Sequence, residues 1–268
     1  MRDVSRAALT AACSTMVMQA ALRHLPTAGC ALALGGFPLL CLWKTHFRGA
    51  KGSCQTQTMT PSALHAFWKY RQGEVVRFYS HKTEKAGEHT CFCNFYDQRD
   101  SPMLFTPRQS WCSSDEMRNC CKSPVSCEFS EKAIMLSKAA IMNDAEAFEK
   151  IASAVTPAAA KQFGREIKGF DKEKWDEHMT TMARIVAYEK FSQSPEMRRV
   201  LLATGDTILA ETTGKDKIWA TGKAMSDPEA LVPSAWPGTN VLGWSLMIAR
   251  DELKFLNDWI AFSEVAAL

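Results

Sequence analysis

Ser130-Glu131-Lys132-Ala133-Ile134-Met135-Leu136-Ser137-Lys138 is the stretch on which the reading of the chain turns. Helical spacing from Glu131 runs through Ile134, Met135, Lys138, Ile141 and Met142, so these residues share one face of a helix. Ser130 is expected as the N-cap, its hydroxyl accepting a bond from an N–H of the first turn. Four positions on that face are apolar, and the other two are a carboxylate and an ammonium. A charge on a core-facing stripe is costly unless it is paired or lines a cavity. Glu131 also falls in the first turn, where the helix dipole favours its ionised form. The stretch can therefore present a fixed carboxylate to a pocket, with a lysine two turns along on the same side. The plainer reading is a first-turn glutamate on a wide, alanine-rich face, and periodicity alone favours it.

Outward from this helix, 268 residues suffice for one large domain or for a domain with an extension. A hydrophobic content of 46% provides a sizeable core and excludes a disordered chain. The formal net charge of +3 hides an asymmetry. Residues 1–72 hold eight Lys/Arg against one acid, Asp3, a balance of +7, while the rest of the chain holds 24 basic and 28 acidic residues, a balance of −4. The body thus lacks the electrostatic footprint of a nucleic-acid binder, and no stable nucleic-acid complex is expected.

Residues 1 to about 50 are rich in Ala, Leu, Ser, Thr and Arg and almost free of acids, a composition that suits an organellar (mitochondrial or plastid) presequence. An uncharged run from Leu25 to Trp43 is interrupted by Gly35, Gly36 and Pro38 and is barely long enough to span a bilayer. A signal-like presequence and then a membrane anchor are the competing readings; without a presequence the protein would be cytoplasmic. No membrane contact is expected of the mature domain. Residues 51–72 read as a linker with a short apolar helix near Ala63–Tyr70. The expected organisation is a targeting segment and linker over 1–72 and a folded domain over 73–268.

Ten cysteines are present, six of them between Cys91 and Cys127, and none forms a CxxC pair. Their spacings fit no common zinc finger, so reduced thiols in a loop-rich insertion at 97–127 are expected, with no metal and no cofactor. His178 has no partner at metal-ligand spacing. Val75–Ser80 reads as a strand and Phe92–Tyr96 as a short aromatic element. From Glu131 onward the chain is mostly helical: Asp144, Thr156, Asp171, Ser194 and Asn240 are expected caps, and Gly205 is a helix stop. Thr207–Thr212 and Lys217–Trp219 read as strands. The fold class is α+β, a mostly helical single domain with a small β-sheet.

Several stretches, taken together and in order, resemble the NADAR family, also called YbiA-like. Arg77-Phe78-Tyr79-Ser80 looks like its opening strand. Phe92-Cys93-Asn94-Phe95-Tyr96 is similar to its FSNF turn, with Cys93 in place of serine. Ser130–Lys138 resembles its SE…K helix, and Gly164-Arg165 through Trp175 its GR…W stretch. Leu201–Asp206 with Asp216-Lys217-Ile218-Trp219 is similar to its LLATGD…D-x-IW signature, and Asn240–Arg250 to its closing helix. The resemblance covers roughly residues 75 to 255. Ala220 replaces the family's glycine, and the loop at 97–127 is longer and richer in cysteine than the pattern.

The resemblance implies hydrolysis of the bond between a ribose-type sugar and nitrogen. The substrate would be a phosphorylated riboflavin-pathway intermediate or, alternatively, ADP-ribosylated guanine. A binding module that senses ADP-ribose or NAD without turnover is the rival from another class. N-glycoside cleavage asks for a carboxylate near the anomeric carbon, where positive charge develops in the transition state. The resemblance puts Glu131 there, the residue that periodicity had marked on independent grounds. It puts Trp175 and Trp219 at the heterocycle and Asp216 at a polar group of the base or ribose. Arg77, Arg165 and Lys138 are candidate phosphate donors, since the chain has no P-loop or GxGxxG. Lys138 could instead pair with Glu131, and Asn94 could orient a hydroxyl. Lys168 is read as a surface charge.

Overall fold

The computed structural model of the protein describes residues 59–82 and 87–266. The expected presequence lies outside the described residues. The element order is α1 (Pro61–Tyr70), β1 (Val75–Phe78), β2 (Met103–Phe105), α2 (Asp115–Cys120), β3 (Val125–Cys127), α3 (Ser130–Met142), α4 (Ala145–Ala152), α5 (Pro157–Arg165), α6 (Lys172–Gln193), α7 (Pro195–Ala203), β4 (Ile208–Glu211) and α8 (Val241–Ala266). The fold is α+β and mostly helical. Among the described residues no helix is long and apolar enough to cross a membrane.

Local chemistry starts most of the helices. Asp144, Thr156, Asp171 and Ser194 each accept a bond from the N–H three residues on, at 3.0, 3.2, 3.1 and 3.3 Å, and so open α4, α5, α6 and α7. Pro157 and Pro195 occupy the first helical position, where a missing N–H costs nothing. Gly205, at φ 58°, stops α7 in the left-handed conformation that glycine adopts without strain.

Four expectations are corrected. Ser130 does not cap α3: the cap position is Phe129, and the Ser130 hydroxyl is buried without a hydrogen-bond partner. The carbonyl of Asn94 instead takes the N–H of Glu131, at 3.0 Å. Asn240 does not cap α8 through its side chain. Its amide clamps β4, Nδ2 donating to the Leu209 carbonyl (2.9 Å) and Oδ1 accepting from the Glu211 N–H (3.1 Å). Lys217–Trp219 is a turn rather than a strand, because Asp216 Oδ1 accepts from the N–H groups of both Ile218 (2.8 Å) and Trp219 (2.9 Å). Finally, residues 97–127 are not a plain loop. They carry β2, α2 and β3, with β2 and β3 paired antiparallel and Met103 opposite Cys127.

The small sheet is thus two separate pairs. The other is parallel, β1 on β4, with Arg77 opposite Ala210 and Phe78 opposite Glu211. α1 belongs to the folded body, which starts upstream of the expected boundary at residue 73: Leu64 and Trp68 are buried, and the Trp68 indole N–H donates to the Thr239 carbonyl at 2.7 Å.

Two hydrophobic clusters lie side by side. One gathers α1, β1, β4, α7 and the first half of α8; the other gathers residues 103–129, α3 and α4. Helix α6 serves both. Its Met179, Ala183, Ala187 and Phe191 face the first cluster, and its Met182 and Val186 the second. Trp175 and Trp219 are half-buried and pack against both.

Candidate active site

The centre of the site is the first turn of α3. Glu131 is only 5% exposed, yet its carboxylate makes one ion pair, to Lys161 of α5 at 3.9 Å. That contact depends on how closely α5 approaches α3. Gly164 faces Met135, and a Cβ at Gly164 would lie 2.0 Å from the Met135 sulfur, so any larger residue there would force the Met135 side chain to move. The Gly164 carbonyl also receives the Lys138 ammonium at 2.6 Å. Lys138 is therefore turned away from an ion pair with Glu131 and toward aromatic rings, 4.6 Å from the centroid of Phe170 and 5.9 Å from that of Trp175. Lys161 in turn lies 5.4 Å from the centroid of Phe95.

The electrostatics follow from this placement. Burial pushes the Glu131 carboxyl up to about 7; Lys161 draws it back, Asp216 raises it further, and Arg165 and Lys138 lower it. A second acid stands at the end of β4. Although part of Glu211 is open to solvent, the protein around its carboxyl desolvates it and pushes it up to about 8, with Asp216 and Glu131 acting in the same direction and Lys161 against them. Lys138 is lowered from its ordinary value by burial and by the nearby Arg165. Three carboxyl groups thus interact with Lys161, Lys138 and Arg165 around the first turn of α3.

The residues singled out in the sequence divide by place. Glu131, Asp216, Arg165 and Lys138 form one electrostatic cluster. Trp175 adjoins it through Lys138, and Trp219 follows Asp216 in its turn. Asn94 supplies the carbonyl that anchors Glu131 and lines a small cavity together with Ser130, Lys190 and Trp219. Arg77 stands elsewhere: its guanidinium donates to the Met225 carbonyl at 2.7 Å, bracing the loop after the Asp216 turn. Lys168 is an exposed partner of Glu146. Lys161, Glu211, Phe95 and Phe170 were not singled out. A charge closing the apolar run Ile208-Leu209-Ala210 was the one available signal for Glu211. Lys161 carried none, since its role depends on the packing of α5 against α3. Among the described residues no three His, Cys, Asp or Glu side chains gather as a metal site.

A helical body with a parallel β1–β4 pair and a carboxyl cluster at the mouth of α3 defines the class of protein, and the NADAR-domain family model matches residues 77–254. The chain belongs to the NADAR family. It is 33% identical over 122 residues to N-glycosidase R617 of Acanthamoeba polyphaga mimivirus, an alignment covering 46% of this chain and 72% of that protein. It is 30% identical over 105 residues to N-glycosidase YbiA of Escherichia coli strain K12, covering 39% and 59% of the two chains. It is 32% identical over 112 residues to riboflavin biosynthesis protein VVA0006 of Vibrio vulnificus strain YJ016, covering 42% of this chain and 28% of that protein. The NMR structure of the E. coli protein YbiA superposes with a TM-score of 0.50 and 23% identity over 70% of this chain and 89% of that one, a likeness of fold.

Proposed function

We propose that the protein is an N-glycosidase that hydrolyses the sugar–nitrogen bond of a phosphorylated ribosyl heterocycle, such as a riboflavin biosynthesis intermediate. The observation that carries this reading is Glu131: a buried carboxyl held to one cation, poised near neutrality, at the start of a helix lined by aromatic rings and cations. Cleaving a ribosyl–nitrogen bond builds positive charge on the anomeric carbon, and a carboxylate beside it stabilises that charge and takes a proton from the incoming water. Trp175, Phe170 and Trp219 offer flat apolar surface for a heterocycle. Arg165 is exposed beside the carboxyl cluster and, with Lys161, supplies positive charge for a phosphate. The names of the relatives support the same reaction class.

The test incubates the full-length protein with phosphorylated riboflavin intermediates and, side by side, with ADP-ribosylated guanosine, and measures the sugar phosphate released. Release from the first by the wild type and none by Glu131→Gln is the expected result. Release from ADP-ribosylated guanosine alone would move the substrate class. Tight binding without release, unchanged in Glu131→Gln, would make the protein a binding module and overturn the proposal.

A further inference from the structure

We propose that Glu211 is a second catalytic residue, the acid that protonates the departing nitrogen while Glu131 receives a proton from the attacking water. The inference rests on the N-glycosidase reading above and assigns a residue that this reading does not need.

Its backbone is held on both sides. The N–H donates to Asn240 Oδ1 at 3.1 Å and the carbonyl accepts from the Thr221 N–H at 2.8 Å. Asn240, fully buried, grips the same strand again through the Leu209 carbonyl. Yet the Glu211 carboxyl has no hydrogen bond or ion pair among the described residues. Carboxylates kept for structure have partners, as Asp216 has the two N–H groups of its turn and Glu146 has Lys150 and Lys168. A carboxyl on a fixed backbone with its oxygens left free is arranged to meet something from outside.

The charges around it assign the role. The groups that act on Glu211 are Asp216 from the turn, Glu131 from α3 and Lys161 from α5, and the buried Cys93 thiol, itself raised by Glu211, lies within its reach. Arg77 on the neighbouring strand is paired with Ala210, so it projects from the other face of the sheet, where it holds Met225. Helix α8 carries no charge before Arg250, which bonds Thr204 and Thr207. Lys161 lies 3.9 Å from a Glu131 oxygen, whereas Glu211 has no cation at ion-pair distance among the described residues, so Glu131 is the acid held ionised and Glu211 the one that keeps its proton. Two acids whose surroundings separate them in this way divide the work of base and acid.

The step balances. The bond from the anomeric carbon to nitrogen breaks, its electron pair stays on nitrogen, and nitrogen takes the Glu211 proton. The water oxygen bonds to the anomeric carbon and one water proton passes to Glu131. Exchange with solvent then returns Glu131 to its ionised state and Glu211 to its neutral one.

The experiment follows kcat/KM against pH for the full-length protein and for Glu211→Gln, Glu211→Asp and Glu131→Gln. Each is assayed on a phosphorylated riboflavin intermediate and on nicotinamide mononucleotide, whose pyridine nitrogen leaves neutral and needs no proton. Glu211→Gln is expected to lower the rate on the riboflavin-type substrate by about 10²–10⁴-fold. It should also abolish the fall in rate above pH 8 and spare any turnover of the pyridinium substrate to within about tenfold. Glu211→Asp should retain the alkaline fall. An unchanged rate in Glu211→Gln overturns the inference, and so does a loss that leaves the alkaline fall in place, since a merely structural residue would give that result. In either case a wild type that Glu131→Gln silences leaves the N-glycosidase reading standing. A wild type that cleaves no ribosyl–nitrogen bond removes both.

Discussion

Replacing Glu131 by glutamine removes a carboxyl that the fold holds at about 7 against an ordinary value of 4.5. Between these values the unfolded chain has lost its proton and the folded chain has kept it. Stability therefore falls as pH climbs through this window, and the contribution of the neutral form is gone above about 7. At about 1.4 kcal/mol for each pKa unit, the wild type loses about 3 kcal/mol between pH 4 and pH 8 through this residue alone. Glutamine cannot ionise and is spared that loss. In a body of this size about 1 kcal/mol moves Tm by about 2–4 °C, so Glu131→Gln should gain about 6–12 °C on the wild type over that range. Thermal melts followed by circular dichroism from pH 4 to pH 9 measure the gap. Lys190 titrates in the opposite sense: burial lowers its ammonium to about 8, so it adds stability as pH rises above that value. It is present in both proteins and drops out of their difference. A gap that stays constant with pH, or that narrows as pH rises, would refute the assignment of a proton held on buried Glu131.

Three further outcomes follow from the same geometry. Lys161→Met removes the cation that draws the Glu131 carboxyl down, so the acid limb of kcat/KM should move to higher pH; an unmoved limb would disconnect the ion pair from the reaction. Gly243→Ala places a Cβ against the Leu209 carbonyl and 2.5 Å from Asn240 Nδ2, which must loosen the clamp on β4. Urea unfolding should show a loss of about 1–3 kcal/mol, and wild-type stability would contradict the packing described. Burial pushes the thiols of Cys93, Cys121 and Cys127 up to about 12, whereas Cys120 is half-exposed. Alkylation by iodoacetamide at pH 8, read by mass spectrometry, should therefore modify Cys120 ahead of those three; uniform modification would contradict it.

How much of this was legible in the sequence depended on whether the deciding interaction was local. The caps at Asp144, Thr156, Asp171 and Ser194 were readable because donor and acceptor lie three residues apart. Ser130 has the same appearance and fails as a cap because the helix begins one residue earlier than that reading needs: Phe129 holds the cap position and its carbonyl takes the Lys132 N–H. Lys217–Trp219 has strand-like residues, but the preceding aspartate captures the two N–H groups that a strand would have offered to a neighbour. The strands at 103–105 and 125–127 are three residues long, too short for alternation to register. At the site, Glu131 was visible as a charge on an apolar stripe. Its cation was sought at Lys138, on the same helix, and is found at Lys161, because the Gly164 carbonyl takes the Lys138 ammonium.

The same distinction bears on how the fold can make a site at all. Glu131 opens the helix whose Ala133, Ile134 and Leu136 belong to one hydrophobic cluster, and Glu211 closes the strand whose Ile208, Leu209 and Ala210 belong to the other. Each carboxyl is the polar end of a buried element, so each is desolvated without lying inside a core. Bringing the two clusters together along α6 sets the acids within electrostatic reach, and Glu131 helps to raise Glu211. The aromatic side chains that touch both clusters, Trp175 and Trp219, line the same seam. On the proposed reading, a heterocycle entering there would be gripped by residues from both halves, while its glycosidic bond met an acid from one half and a base from the other. A change that alters how α3 and β4 sit across the seam should therefore impair catalysis before it impairs folding, because each cluster retains its own core when the distance between the carboxyls changes.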